Sequence, residues 1–274
     1  MRHLFLPVLL TLFVACGDNA ASNATDQAAE VRFQQWSLPE RLNEISGLAL
    51  TADERLLAVT DELAVVYEID YDDGHLVKAF AFGEPPVRGD FEGIAVRDGI
   101  VWLMTSDGEL LAAPEGGNGE TVDYQRYDTG LRQTCELEGL TSGAGGQQLV
   151  MICKEERRDK DLQMFTWNPD SGDRDRIDLQ EQRMEDAADE KDVNPSGITV
   201  DPETGRYLVV AARQAIVMAL EADGRFADVI MQLDNKRHRQ AEGIAITLDG
   251  RLLIADEAGN GRARLAVYRG DHGE

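Results

Sequence analysis

Three glutamates carry the clearest chemistry in this chain. Glu92, Glu138 and Glu242 each stand directly before a glycine, in Phe91-Glu92-Gly93-Ile94, Leu137-Glu138-Gly139-Leu140 and Ala241-Glu242-Gly243-Ile244. Two further segments, Ile45-Ser46-Gly47-Leu48 and Pro195-Ser196-Gly197-Ile198, have the same form with serine in the acidic place. Carboxylates gathered at one point repel one another unless a cation or protons compensate them. Hard oxygen ligands with no His or Cys beside them suit Ca2+, which takes about 6–8 oxygens, better than Zn2+. Mg2+ would want a tighter octahedral site. A second polar set follows the next apolar run of each segment: Asp61-Glu62, Asp107, Lys154-Glu155, Arg213 and Asp256-Glu257. Aligned by those apolar runs, Glu62, Asp107, Glu155, Arg213 and Glu257 fall together as four acids and one base. Arg213 would pair with the neighbouring acids or hold an anionic ligand against a metal. Glu44, three residues before Gly47, is a weaker member. A lone glutamate at a strand start is equally at home on a solvated rim; recurrence at one repeat position is what points to a cation.

The elements that would position these groups follow from the glycines. Gly47, Gly93, Gly139, Gly197 and Gly243 are 46, 46, 58 and 46 residues apart. Residues 181–192, charged and poor in apolar side chains, account for the 12 extra and read as a surface loop or short helix. Within each repeat, apolar runs are separated by Asp-Gly and Asn-Gly pairs, whose tolerance of positive φ makes tight hairpins. The first repeat predicts strands near 45–50, 55–60, 64–70 and 75–82, and the fourth near 197–201, 206–212, 215–220 and 225–233. Four antiparallel strands at a period in the forties predict a β-propeller blade. The fifth repeat has three strands, and an orphan strand, Val31 to Leu38, precedes the first. That N-terminal strand would complete the last blade and remove an exposed edge. The prediction is an all-β, five-bladed propeller over 31–274.

Composition narrows the partners. The 274 residues include 51 acidic and 27 basic ones, a formal net charge of -24, which argues against nucleic acid, whose binders need Lys and Arg. Arg2 and His3 precede an apolar run from Leu4 to Ala15, too short to span a bilayer and suited to a signal h-region over 1–15. Phe13-Val14-Ala15-Cys16 resembles the lipobox of bacterial lipoproteins, with Phe13 where leucine is usual; it makes Cys16 the lipidation candidate, an ordinary secretory cleavage being the alternative. Residues 16–30 then form a polar tether to a membrane surface. An exported chain left with Cys135 and Cys153 has an even pair for an oxidising compartment. Folding the intervening hairpin about Ala144 sets them opposite each other, so a disulfide or two separate thiols would both fit.

Taken together, Asn43-Glu44-Ile45-Ser46-Gly47-Leu48, the Phe91 and Leu137 motifs with Lys154-Glu155, and Gln240-Ala241-Glu242-Gly243 with Asp256-Glu257 resemble the SdiA-regulated proteins over about residues 36–270. The resemblance implies an envelope-associated, five-bladed propeller, distantly similar to NHL-repeat propellers, that carries a calcium site and has no established activity. Catalytic motifs are sparse. There is no G-x-S-x-G elbow, and Gly116-Gly117-Asn118-Gly119 lacks the Lys-Ser/Thr of a phosphate loop. His75 and His272 read as exposed turn or tail residues, and His238, within Lys236-Arg237-His238-Arg239, as part of a solvated loop. Trp36, Trp102 and Trp167 read as core. Two functions follow as expectations: a calcium-binding lipoprotein of the cell envelope that docks a protein, glycan or small molecule, or a metal-dependent hydrolase of the lactonase or esterase type.

Overall fold

In a computed structural model, which describes residues 32–156 and 162–269, five blades of four antiparallel strands each surround a central channel. The segments expected at 1–15 and 16–30, with Cys16, lie outside the described residues. Strand β1 (Arg32–Ser37) comes first. Blade one is β2 (Ile45–Leu50), β3 (Leu56–Thr60), β4 (Val65–Ile69) and β5 (Leu76–Phe82). Blade two is β6 (Phe91–Arg97), β7 (Ile100–Thr105), β8 (Glu109–Pro114) and, after the short β9 (Thr121–Val122), β10 (Gln125–Asp128). Blade three is β11 (Cys135–Ser142), β12 (Leu149–Glu156), β13 (Gln163–Trp167) and β14 (Arg174–Asp178). Helix α1 (Glu181–Ala188) lies inside the 12-residue excess and buries Met184 against blades three and four. Blade four is β15 (Gly197–Val200), β16 (Tyr207–Ala211), β17 (Ile216–Leu220) and β18 (Phe226–Gln232). Blade five is β19 (Ala241–Ile246), β20 (Leu252–Asp256) and β21 (Arg264–Arg269), closed on its outer side by β1 in register Arg32↔Arg269 to Ser37↔Arg264.

That closure joins the two ends of the chain across six residue pairs, so β21 is not left as an open edge. One strand was not foreseen: β9 adds to β5 in parallel, pairing Ala81 with Thr121 and Phe82 with Val122. The apolar core is divided among the gaps between blades. Five buried clusters each draw on two neighbouring sheets, such as Leu57, Val59 and Phe80 of blade one against Phe91, Ile94 and Leu103 of blade two. Trp102 and Trp167 are both 4% exposed and pack edge to face at 5.9 Å in the gap between blades two and three.

The recurrent glycines stand where the innermost strands of adjacent blades come closest. A Cβ on Gly93 would lie 2.6 Å from Leu140 Cβ, and one on Gly197 would lie 2.3 Å from the Glu242 carbonyl oxygen. Neither spacing admits a side chain, so the period of the sequence records this repeated close approach around the channel. Cys135 and Cys153 are joined in a disulfide with a Cα–Cα distance of 5.8 Å, although the ladder sets Cys153 opposite Leu137.

Candidate functional site

In four of the five blades the residue before the motif glycine occupies a β-bulge. Phe91 pairs with Thr105 and Gly93 with Met104, so Glu92 is the extra residue of its strand. The same skip isolates Ser46, Glu138 and Glu242 in blades one, three and five. In blade four Ser196 donates its backbone N–H to the Val210 carbonyl at 2.9 Å, opposite the residue that Gly197 also faces. A bulge bends its strand and re-aims the extra side chain. Of the five equivalent side chains, the two serines are consumed locally. Ser46 Oγ donates to the Phe91 carbonyl and Ser196 Oγ to the Ala241 carbonyl, each at 2.6 Å, lacing blade one to two and four to five.

The three glutamates remain, and their electrostatics show that they share one field. Burial, then repulsion from Glu138, Asp90 and Glu242, pushes the Glu92 carboxyl up to about 9. Burial and Glu138 push Glu242 up to about 7. Glu138, 4% exposed, is raised by burial and partly drawn back by Lys154, whose Nζ donates to its Oε1 at 2.7 Å. Lys154 is itself held above its ordinary range: burial works most strongly against its charge, but the bond to Glu138 together with the charges of Glu138, Glu242 and Glu136 outweighs that. With Ser46, Glu92 and Glu242 line a narrow waist floored by Gly47, Gly93, Gly139 and Gly197.

The second predicted ring is displaced by one residue. Counting from the ladder partners of the motif glycines (Val59, Met104, Ile152, Val210, Ala255), the residue two places on is Asp61, Ser106, Lys154, Ala212 or Glu257. Glu62, Asp107, Glu155 and Arg213 come one place later, and Glu62, Asp107 and Arg213 lie beyond the last residues of β3, β7 and β16. Of the predicted set, Glu257 alone stands in the inner register. Glu62 is exposed, and Asp107 pairs with Arg132 at 3.3 Å. Arg213 is exposed and donates to Asn194 Oδ1 at 3.2 Å, so the base among the channel acids is Lys154. The side chain of Glu155 lies outside the described residues.

Asp61 is the residue that the apolar alignment missed. Its Oδ1 is buried without a hydrogen-bond partner, and burial followed by repulsion from Glu44 pushes the carboxyl up to about 6. Burial and Glu44 likewise raise Glu257, which accepts from Gln240 Nε2 at 2.8 Å. Glu44, the weaker expectation, thus belongs to this mouth. Ser106, the blade-two counterpart, donates to Asp90 Oδ2 at 2.5 Å. The mouth therefore offers oxygen donors from blades one, two, three and five, balanced by one ammonium. In this conformation the carboxylates are spread around the channel. Among the described residues, the trio of acidic and histidine ligand atoms within 4.8 Å of one another is Asp70, Asp73 and His75, in an outer turn.

His238 also departs from expectation. It is 1% exposed, with Nδ1 bound to Asp256 Oδ2 at 2.8 Å and Nε2 to the Tyr268 hydroxyl at 2.5 Å. The solvated-loop expectation fails because those partners, 18 and 30 residues away, close over it. His272 lies outside the described residues.

Comparison with solved structures places the fold among propellers. Glutaminyl cyclase of Myxococcus xanthus superimposes with a TM-score of 0.60 at 14% identity, covering 88% of this chain and 95% of that one. A luciferin-regenerating enzyme gives 0.55 at 10% identity, covering 88% and 96%. At such identities the likeness is one of fold. No curated protein matches the chain in sequence. The SdiA-regulated family model matches residues 21–260, and the chain belongs to that family.

Proposed function

We propose that the acidic mouth of the channel binds a divalent cation, with Ca2+ fitting best, and that the protein is a calcium-dependent binding module of the bacterial cell envelope. The observation that carries this reading is the set of carboxyls with too little positive charge around them: buried Glu138 and half-buried Glu92, Glu242 and Asp61 against Lys154. The orphaned Asp61 Oδ1 supports it, because a buried carboxylate oxygen without a donor is costly. The donors are oxygens, several of them reach the mouth, and water would complete the coordination, as suits Ca2+. Bound there, the ion neutralises the repulsion and ties blades one, two, three and five to one point. Export as a lipoprotein anchored through Cys16 completes the proposal. It is supported by the Leu4–Ala15 run and by the Cys135–Cys153 disulfide, which suits an oxidising compartment. A protein, a glycan or a small molecule would be the partner.

The test is thermal unfolding of chelator-treated protein with and without Ca2+ or Mg2+. The proposal expects Ca2+ to raise Tm in the wild type and not in Glu138→Gln. Equal shifts in both proteins, or none, would refute it. One observation favours a hydrolytic second reading: Glu242, at about 7, titrates where a general acid or base works best. The ion would then supply carbonyl polarisation. Metal-dependent turnover of lactones or aryl esters that Glu242→Gln abolishes would establish it in place of a pure binding module.

A further inference from the structure

The channel has a second end, and its chemistry is of another kind. Beyond the glycine waist Leu50, Val96, Val200 and Ile246 of four inner strands line a cleft of about 180 Å3 open to solvent, with Thr141 and Ser142 from blade three. Beside it, between blades four and five, a second hollow of about 250 Å3 is lined by Ile230, Met231, Leu252 and Tyr268. Pro202, Ile246 and Leu248 line both, so the two form one continuous apolar surface. Among the described residues the large hydrophobic side chains left exposed are Val77, Ile230 and Leu248, and two of those three stand here, Leu248 at 70% exposure. Burying them would remove apolar area from water.

Charge on this surface has one sign. Glu54, Asp201 and Glu203 line it, and no Lys, Arg or His does. Arginines close to the lining in sequence are spent elsewhere: Arg55 on Asp53 at 2.9 Å, Arg97 on the Gly146 carbonyl at 2.8 Å, Arg206 on Glu221 at 2.8 Å, and Arg251 on Asp249 at 2.9 Å. Glu54 is also placed against the grain of its backbone. The hairpins Thr51-Ala52-Asp53-Glu54-Arg55 and Thr247-Leu248-Asp249-Gly250-Arg251 share their hydrogen bonds, including the threonine Oγ1 accepting the arginine N–H at 2.9 Å. The fourth residue is left-handed in both, at φ 78° for Gly250 and 62° for Glu54. Glycine takes that conformation freely, whereas glutamate does so at a cost. The result is a carboxylate at the rim of the cleft, accepting the Leu248 N–H at 2.6 Å from across the blade one–blade five junction.

We propose that this cleft, at the end of the channel away from the acidic mouth, binds an aliphatic chain bearing a cationic ammonium head. The chain lies on Leu248, Ile246 and Ile230, and the head is held by Glu54 and Asp201. The proposal is independent of the cation site.

Calorimetric titration of the full protein with dodecyltrimethylammonium below its micelle concentration tests this, with dodecanoate as the matched anion. Saturable binding of the cation, with dodecanoate at least ~tenfold weaker, is expected. Glu54→Gly places in blade one the residue its sister hairpin already carries, so it keeps the fold, and it should weaken the cation ~tenfold. Leu248→Ser should weaken both amphiphiles, and Glu92→Gln neither. Equal affinity for dodecanoate, no saturable binding, or insensitivity to Glu54→Gly would overturn the proposal. So would concentration-dependent dimerisation abolished by Leu248→Ser, which would make the surface an interface between copies of this chain.

Discussion

Replacing Glu92 by glutamine isolates the electrostatic core of the account, because it removes the charge and nearly preserves the volume. In the folded, cation-free protein the Glu92 carboxyl is raised from 4.5 to about 9. A raised acid binds its proton more tightly in the folded than in the unfolded chain. Its contribution is therefore fully present below pH 4.5 and is lost as pH rises toward 9. The loss is about 1.4 kcal/mol per pH unit. At pH 8 the accumulated penalty, over the interval from 4.5, is ~5 kcal/mol, and near pH 4.5 it vanishes. Glu92→Gln should thus match the wild type at pH 4.5 and exceed it in unfolding free energy at pH 8, by up to ~5 kcal/mol. Urea unfolding at pH 4.5, 6 and 8 in EDTA measures this directly. Parallel pH profiles for the two proteins would show that the glutamate is a solvated rim residue, and the reasoning would fall.

Other consequences are mechanical. Gly93→Ala forces a Cβ to 2.6 Å from Leu140 Cβ and should cost ~3 kcal/mol, whereas Gly145→Ala, with nothing within 4 Å, should be near neutral; chemical unfolding distinguishes the two. Substituting both Cys135 and Cys153 by alanine opens a loop of 18 residues and should cost ~3 kcal/mol, read as a lowered urea midpoint. Deleting residues 1–37 removes β1 and bares the edge of β21, so gel filtration should show more self-association than the intact chain under the same conditions.

How much of this was legible beforehand depended on whether the signal was local. The glycine period, the hairpin dipeptides and the orphan strand ahead of Leu38 were enough for five blades and their closure, because each marks a constraint at its own position. The bulges were not visible. A residue skipped in the ladder leaves no mark in composition, yet it shifts every later residue on that strand by one place. Asp61-Glu62, Lys154-Glu155 and Asp256-Glu257 offered two polar residues each, and aligning apolar runs took the outer one twice. Counting two places on from the ladder partner of each motif glycine selects Asp61, Lys154 and Glu257. His238 was misplaced for another reason. Its neighbours in sequence are basic and polar, while the groups that bury it, Asp256 and Tyr268, come from a different part of blade five.

Calorimetric titration of Ca2+ into the chelator-stripped protein tests the central claim most directly, with Glu92→Gln and Glu138→Gln measured alongside. The account predicts saturable binding near one ion per chain at pH 8. It also predicts proton release as Glu92 ionises, and loss of binding in both variants. Absence of binding, or binding indifferent to both substitutions, would contradict it.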